Sequence, residues 1–296
     1  MVLFQKMKKF LLIIIVILLS GWVYGDTVID VVMYPYGETP TEKTGPSQKF
    51  YPEKIPCKAM LLIDPDNDKI IYSKKDKYPF PNASTTKLMT ALLACDYLKP
   101  YDYLTVSERA AKIPFNSMGF KEGEHISFED CLAAMLIRSA NDSAVVIAEN
   151  VAGSEEYFAE LMNKKAYNLG CLNTFFVTAS GLHHQKHHTT CHDLAIIAKE
   201  AVKNPLIKNL INTKSYEITT RENSKGIKTV KSENNYILKY PYCEGAKSGY
   251  TSYAGQCMVC FAGKGDKHLL LVVLGVTGGI QKYLPKIMDW GFENAS

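Results

Sequence analysis

The segment at residues 81–98, which reads PNASTTKLMTALLACDYL, constrains this chain most strongly because its apolar residues recur at helical spacing. Those residues are Leu88, Ala91, Leu92 and Cys95. Pro81 excludes an earlier helix start, and Asn82 or Ser84 is expected to cap the free N–H groups of the first turn. Ser84 and Lys87 are therefore expected one turn apart on the same helix face.

A serine hydroxyl beside a lysine amine can act as a nucleophile. The hydroxyl needs a base to take its proton, and an amine can be that base only where burial or a nearby cation lowers its pKa. The helix start would also offer a backbone N–H and the positive end of the helix dipole to a developing oxyanion. A three-residue pattern is loose, however, and a surface Lys87 beside a capping Ser84 is the simpler interpretation of this motif alone.

The first 25 residues have the order and length of a secretory signal, with three lysines before the apolar run Phe10–Leu19. The run is short for a membrane-spanning helix, and an uncleaved N-terminal anchor is the alternative. The residue directly after Gly21 is Trp22 and not a cysteine, which argues against a lipid anchor. Residues 26–56 are rich in Pro, Thr, Lys and Glu and predict an extended linker, so the folded domain is expected at 57–296.

Removal of residues 1–25 would take away three lysines and no acidic residue, so the formal net charge falls from +4 to +1. This near-neutral balance, without a basic stripe, gives no support to nucleic-acid binding. All eight cysteines follow this segment, and their spacing predicts mostly free thiols. Cys257 and Cys260 lie three residues apart on a predicted strand, so their side chains are expected on opposite faces of it.

A second pair of polar side chains lies between two predicted helices. The helices are expected at Phe128–Ile137 and Ser143–Val151, with Asp142 capping the second. Ser139 and Asn141 would then share a tight turn, where a hydroxyl for proton relay and an amide for a substrate carbonyl can project into one cleft. Such a turn is also common without any catalytic function.

Five of the seven histidines fall between His183 and His192, so a metal site has to be considered. Several of them have i, i+4 spacing, but most precede Thr190, the predicted cap of a helix that ends at Val202. A loop does not preserve helical spacing. We therefore expect a polar loop beside a cleft, and we predict neither a metal nor a cofactor.

The rest of the chain predicts strands around a third polar motif. Ala59–Asp64 and Ile70–Ser73 flank a turn and predict a hairpin. Near the C-terminus, a predicted strand carries the motif Lys247-Ser248-Gly249. Two further strands are expected over residues 254–262 and 268–276, and a short helix is expected over Tyr283–Phe292.

Three motifs thus occur in order: S-x-x-K at residues 84–87, S-x-N at 139–141 and K-S-G at 247–249. A trio of this kind characterises penicillin-binding proteins and class A β-lactamases. With these motifs, the sequence resembles the low-molecular-mass penicillin-binding proteins, the serine-type D-alanyl-D-alanine carboxypeptidases. The resemblance runs from about Ala59 to Phe292 and includes the flanking segments ASTTKLMTALLA, LIRSANDSAV and AKSGYTSYAG.

The resemblance implies a fold and a set of roles. The fold would be α/β (α+β), with an antiparallel sheet of about five strands flanked by helices and a helical subdomain carrying Ser139 and Asn141. Ser84 would attack the carbonyl of the penultimate D-alanine, Lys87 would take the proton, and Ser139 would pass it to the leaving D-alanine. Asn141 would bind the acyl side chain, and Lys247 would supply positive potential beside Lys87. Ser248 would bind the terminal carboxylate, and Gly249 would allow an extended peptide to approach closely. The backbone N–H groups of Tyr250 and Ser84 would form an oxyanion hole.

Two departures from the family pattern affect these expectations. Many relatives carry an arginine after the last strand that helps to hold the substrate carboxylate, whereas residues 277–281 read TGGIQ and Lys282 is the nearest cation. Relatives also continue into a β-rich domain and an amphipathic anchor helix, while this chain stops at Ser296. Any membrane attachment is therefore expected from the N-terminus.

The expected protein is an exported bacterial cell-wall carboxypeptidase, with D-Ala-D-Ala stem peptides as substrates and β-lactams as inhibitors. A β-lactamase is the first alternative, although between Asn141 and Lys247 its E-x-x-x-N pattern is matched only by Glu200 and Asn204 at a helix end. A metal-dependent peptidase would need an H-E-x-x-H motif, which the sequence lacks. An idle wall-binding or penicillin-binding module would be expected to lack a catalytic residue.

Overall fold

Nine strands and eight α-helices lie within residues 50–222 and 228–295, the part of the chain that the computed structural model describes. The strands are β1 (Ala59–Asp64), β2 (Lys69–Lys74), β3 (Tyr103–Thr105), β4 (His125–Ser127), β5 (Ser215–Ile218), β6 (Lys228–Lys231), β7 (Cys243–Thr251), β8 (Gly255–Lys264) and β9 (Lys267–Val276). The helices are α1 (Lys87–Tyr97), α2 (Glu108–Ala111), α3 (Phe128–Ile137), α4 (Asn141–Ala152), α5 (Glu155–Asn168), α6 (Cys191–Ala201), α7 (Pro205–Asn212) and α8 (Leu284–Asn294).

Five of the strands form one antiparallel sheet in the order β2-β1-β9-β8-β7. The central strand, β9, is buried from residue 269 to residue 276 because both faces of the sheet are covered. Its alternate side chains enter two different cores. Leu270 belongs to a helix-side core shared with α1, α4 and α6, and Leu271 belongs to an α8-side core.

The helices are divided unequally between the two faces. On one face, α6 packs on β1 and β9, and α1 lies against α6. Helices α3, α4 and α5 pack against α1 and form the predicted helical subdomain. On the other face, α8 covers β9. The predicted α/β architecture is confirmed.

Most elements lie where the sequence predicts them. The hairpin β1–β2 and the C-terminal strands β7, β8 and β9 match their predictions closely. Helix α3 has the predicted bounds, and Ser127 Oγ accepts the N–H of Asp130 at its start. The strand pairs β3–β4 and β5–β6 and the helix α7 were not predicted, because each is short and packs at the edge of a core.

The folded part begins before residue 57. Residues Pro52–Lys54 form a 3-10 helix, and Ile55 is buried in the α8-side core, although the sequence analysis placed both in the linker. The predicted signal at residues 1–25 and the linker up to residue 49 lie outside the described residues. Among the residues that are described, no helix has the length and apolar character needed to cross a membrane.

All eight cysteines lie in the described residues, and each is a free thiol. Cys257 belongs to the helix-side core and Cys260 to the α8-side core. Their predicted placement on opposite faces of β8 is therefore confirmed.

Candidate active site

Ser84 and Lys87 lie where a 3-10 helix, Ala83–Thr86, continues into α1. The distance from Lys87 Nζ to Ser84 Oγ is 2.9 Å, which is a hydrogen bond. The capping predicted for Asn82 or Ser84 is wrong, because Ser84 lies inside the 3-10 helix and neither helix start has a side-chain cap. The Asn82 amide instead donates to the Thr86 hydroxyl at 2.9 Å and holds the turn from within.

Close backbone contacts hold Ser84 against β7. A Cβ atom on Gly249 would lie 2.4 Å from the backbone nitrogen of Ser84, and one on Gly181 would lie 2.0 Å from the carbonyl oxygen of Ala83. Both positions therefore require glycine. The sequence analysis linked Gly249 to an approaching peptide, but the backbone that approaches it in the structure is that of the 3-10 helix.

Lys87 is fully buried, at 0% exposure. Besides Ser84 Oγ, its Nζ has two partners that can only accept: Asn141 Oδ1 at 2.8 Å and the carbonyl oxygen of Ser180 at 2.7 Å. A neutral amine has two N–H groups and one lone pair. The two N–H groups satisfy Asn141 and Ser180, so the lone pair faces the one partner that can donate, the Ser84 hydroxyl.

Electrostatics favour this neutral form. Burial has the largest effect and lowers the pKa of Lys87 far below its ordinary value, and the positive charge of Lys247 lowers it further. The buried carboxylates of Asp142 and Glu155 oppose this but do not reverse it. Glu155 also accepts the N–H of Ala179 at 2.9 Å. This bond fixes the segment that contains Ser180, whose carbonyl oxygen accepts from Lys87.

Lys247, the second fully buried lysine, donates to Ser139 Oγ at 2.8 Å and to the carbonyl oxygen of Ser248 at 2.9 Å. Burial lowers the pKa of Lys247 to about 7, against the opposing effect of the Glu233 carboxylate. Ser139 has a φ of +61°, a left-handed conformation that is strained for a residue with a side chain. This conformation holds the Ser139 hydroxyl at the Lys247 amine.

Ser139 and Asn141 do not share the turn that the sequence predicts. Helix α4 begins at Asn141 itself, two residues earlier than predicted, and only Ser139 lies in the inter-helix turn. Asp142 is not at the N-cap position, which Ala140 occupies; its Oδ1 accepts the N–H of Ser143 in the first turn, and its Oδ2 accepts the N–H groups of residues 118–119. Residues 118–119 lie more than 20 positions away in the sequence, which explains why local patterns could not indicate them.

Asn234 is a buried residue of this site that the sequence analysis missed. Its Oδ1 accepts the backbone N–H of Ser248 at 3.1 Å and the Ser248 hydroxyl at 2.5 Å. Its amide nitrogen donates to the carbonyl oxygen of Ala246 at 3.0 Å. Asn234 thus holds β7 on both sides of Lys247, although no motif or periodic pattern marks it in the sequence.

A cleft of about 700 Å³ opens over these side chains. Its lining includes the predicted residues Ser84, Ser139, Asn141, Ser248, Gly249 and Tyr250 and the unpredicted residues Phe115, Asn116, Leu182, Glu233, Tyr236 and Gln256. Lys87 and Lys247 lie buried behind this lining. The Tyr250 side chain is 69% exposed, and Gln256 is fixed by its Oε1, which accepts the N–H of Ile280 at 2.7 Å.

The histidine cluster is dispersed in the structure. His187 is buried, and its Nδ1 accepts the N–H of Val177 at 3.2 Å, so Nε2 carries the proton that it donates to Thr86 Oγ1 at 2.8 Å. Burial, above all, lowers the pKa of His187 to about 3 and keeps the ring neutral. His183 stacks on Tyr253, with ring centroids 3.7 Å apart. In the described ranges, no three His, Cys, Asp or Glu side chains are grouped as a metal site would require.

Two carboxylates bear on the β-lactamase alternative. Glu200 forms an ion pair with Lys203 and does not line the cleft. Glu233 is the carboxylate among the cleft residues, and it forms an ion pair with Arg138.

The site combines two hydroxyls, those of Ser84 and Ser139, each hydrogen-bonded to a buried lysine amine. This arrangement is suited to acyl transfer through a serine ester.

The sequence of this chain is similar to those of known proteins. Residues 43–278 match the family model described as D-alanyl-D-alanine carboxypeptidase. The D-alanyl-D-alanine carboxypeptidase DacF of Bacillus subtilis is 35% identical over 244 residues, which cover 80% of this chain and 62% of that protein.

Two solved structures are also similar. The D-alanyl-D-alanine carboxypeptidase of Mycobacterium tuberculosis has a TM-score of 0.76 at 25% identity, over 81% of this chain and 92% of that one. A point mutant of a Streptomyces DD-transpeptidase has a TM-score of 0.76 at 25% identity, over 81% of this chain and 99% of that one.

The chain spans a little under two thirds of the length of several curated relatives that it matches. The family model, by contrast, covers most of the chain, including all three motifs. The chain therefore belongs to the D-alanyl-D-alanine carboxypeptidase family.

Proposed function

We propose that this protein is a serine-type D-alanyl-D-alanine carboxypeptidase that removes the terminal D-alanine from peptidoglycan stem pentapeptides during cell-wall biogenesis. One observation carries the proposal. The buried Lys87 Nζ lies 2.9 Å from Ser84 Oγ, and its other two partners can only accept hydrogen bonds, so the lone pair of the neutral amine would face the Ser84 hydroxyl. This is the geometry that a serine nucleophile and its base need.

In the proposed reaction, Ser84 Oγ attacks the carbonyl carbon of the penultimate D-alanine while Lys87 takes the hydroxyl proton. The backbone N–H groups of Ser84 and Tyr250 stabilise the oxyanion. As the oxyanion collapses and the C–N bond breaks, Ser139 relays the proton that Lys87 took to the nitrogen of the leaving D-alanine, with Lys247 as its buried partner, so both Lys87 and Ser139 recover their starting protonation. Water then hydrolyses the ester on Ser84 and restores the hydroxyl.

The same cleft offers groups for the two ends of the substrate. Asn141, whose Oδ1 is held by Lys87, donates one amide N–H to the carbonyl oxygen of Phe115 at 3.0 Å and would offer the other to a carbonyl of the acyl part. Ser248 would turn its hydroxyl from Asn234 to the terminal carboxylate, and the Gln256 amide nitrogen adds a neutral donor because its oxygen is held by Ile280. We propose that these neutral donors act in place of the arginine of many relatives.

We further propose that residues 1–25 act as an export signal or retained anchor and that the linker, predicted at 26–56, ends before the 3-10 helix Pro52–Lys54. The catalytic domain, expected at 57–296 and extended by that helix and by Ile55, would then work on the cell-wall side of the bacterial cytoplasmic membrane. The charge pattern of the first 25 residues supports export.

Incubation of the purified protein with a stem pentapeptide ending in D-Ala-D-Ala tests the function. We expect mass spectrometry to show a tetrapeptide and an equal amount of free D-alanine, with activity retained in EDTA because serine chemistry needs no metal. A matched pentapeptide ending in a carboxamide should be a poor substrate, since the cleft donors recognise a carboxylate. An intact pentapeptide after long incubation would contradict the proposal, and loss of activity in EDTA that zinc restores would favour a metallopeptidase.

Penicillin distinguishes the carboxypeptidase from a β-lactamase, because the two share acylation and differ in deacylation. The leaving group of penicillin stays tethered and blocks water, and the cleft carboxylate, Glu233, is engaged by Arg138. We therefore expect a penicilloyl adduct on Ser84 that outlives many turnovers of peptide and labels the protein on a denaturing gel. Rapid catalytic loss of penicillin without an adduct, abolished by Glu233→Gln, would identify a β-lactamase. A stable adduct without peptide turnover would identify a binding protein.

A further inference from the structure

Two cysteines face each other at the end of β7, outside the candidate active site. The sulfur atoms of Cys243 and Cys260 lie 3.8 Å apart. The strand register pairs Cys243 with Ala262 and Cys260 with Ala246, so the two cysteines are not direct partners across the ladder. Cys260 lies two positions before Ala262 on β8, so its side chain shares the α8-side face with that of Cys243 and lies diagonal to it.

The two thiols differ in access and in acidity. Cys243 is partly exposed and lines a surface cleft of about 740 Å³ beside Lys214 and Lys239, whereas Cys260 is buried. The hydrogen bond between the two thiols has the largest effect and lowers the pKa of Cys243; burial raises it, and the N–H of Gly245 and the charge of Lys214 lower it further. The Cys260 pKa is raised.

This combination sets Cys243 apart from the other cysteines. Burial raises the pKa of the six thiols outside the pair: Cys57, Cys95, Cys131, Cys171, Cys191 and Cys257. An accessible thiol 3.8 Å from a second thiol, with its pKa lowered from the ordinary value, is the arrangement of a redox-active pair, because the first attacks and the second resolves.

We propose that Cys243 and Cys260 form a redox-active dithiol that an external disulfide, either a small molecule or a protein, converts to an internal disulfide. The Cys243 thiolate attacks one sulfur of the external disulfide, and the other leaves as a thiolate. The Cys260 sulfur then attacks Cys243 Sγ of the mixed disulfide, passes its proton to the leaving group, and expels the second thiol. One external disulfide is thereby reduced to two thiols, and one disulfide forms in the protein.

The new bond would link β7, an edge strand of the sheet, to its neighbour β8. Cys243 lies four positions before Lys247, so the bond would restrict the movement of the strand that carries the third motif. The two sulfur atoms would have to approach from 3.8 Å to about 2.0 Å. The bond restricts the unfolded chain as well, and both effects stabilise the native state.

The test treats the full-length protein with oxidised glutathione or with dithiothreitol, then alkylates it in denaturant and maps its peptides by mass spectrometry. After oxidation we expect two fewer alkylated thiols, a cross-link between the peptides of Cys243 and Cys260, and a melting temperature higher by about 5 °C or more. The Cys260→Ser variant should retain one glutathione on Cys243. The Cys243→Ser variant should form neither the cross-link nor the glutathione adduct. Cys95→Ser, a partly exposed control, should behave like the wild type.

Alkylation of all eight cysteines after oxidation, or a cross-link that involves any other cysteine, would overturn the proposal. Loss of the cross-link in Cys95→Ser would do the same. Melting curves in dithiothreitol show whether each serine variant is folded, so a misfolded variant cannot imitate the expected result. A cross-link without any rise in melting temperature would remove the stabilising role.

Discussion

Ser84→Ala is expected to lower kcat/KM for a D-Ala-D-Ala peptide by about 10³-fold or more, and Lys87→Met to do the same. The alanine removes the nucleophile, and methionine fills the buried volume of Lys87 without supplying a base. Since nucleophile and base act as one unit, the double variant should be little worse than either single variant. Release of D-alanine, measured under single-turnover and steady-state conditions, gives these values.

Matched controls separate this chemistry from damage to the fold. Ser252→Ala changes an exposed serine on the same cleft, and Lys264→Met changes an exposed lysine at the end of β8. Both should stay close to wild type. A Ser84→Ala variant that is folded by its melting curve and keeps activity within about tenfold of wild type would exclude Ser84 as the nucleophile. Residual penicillin labelling of that variant would lead to the same conclusion.

The parts of the site that sequence could indicate are those fixed by local geometry. Ser84 and Lys87 are three positions apart, and a helical turn of either kind brings them together. Lys247, Ser248 and Gly249 lie on a strand whose apolar neighbours mark it clearly. The motif order then links these segments, although no pattern in the sequence states that Lys247 reaches Ser139, 108 positions away.

The parts that sequence could not indicate depend on contacts between distant segments. Asn234 acts through Ser248 and Ala246 and lies in a stretch with no regular pattern. Asp142 resembled a helix cap, yet only one of its oxygens serves the helix start, and the other accepts the backbone N–H groups of residues 118–119. The left-handed conformation of Ser139 is held by its surroundings against a local steric cost, which propensity does not predict.

The Cys243–Cys260 pair illustrates the same limit. Cys260 is a strand residue with no mark of reactivity, and alternation along β8 correctly separates it from Cys257. Its neighbour Cys243 is a diagonal contact across the β7–β8 pair, which the sequence of β8 alone does not indicate. Local spacing therefore predicts the face on which a thiol lies but not its partner across the sheet.

Lys247→Met is expected to lower kcat/KM at neutral pH by about 10²-fold and to change the shape of the pH profile. In the wild type, activity should rise with pH as Lys87 loses its proton, because only the neutral amine is a base. It should fall as pH rises through the pKa of Lys247, about 7, because Ser139 then loses the charged donor that supports its transfer of a proton. The two lysines interact, so the two limits belong to the pair.

Without the Lys247 cation, the pKa of Lys87 rises, since that charge lowers it in the wild type. The acid limb of the Lys247→Met profile should therefore move to higher pH, and the alkaline limb should disappear. Ser139→Ala is the matched variant, because it removes the hydroxyl that Lys247 contacts at 2.8 Å and keeps the charge. It should lose activity without moving the acid limb. A Lys247→Met profile that coincides in shape with that of the wild type would mean that Lys247 acts by contact alone, and its charge would have no part in setting the basicity of Lys87.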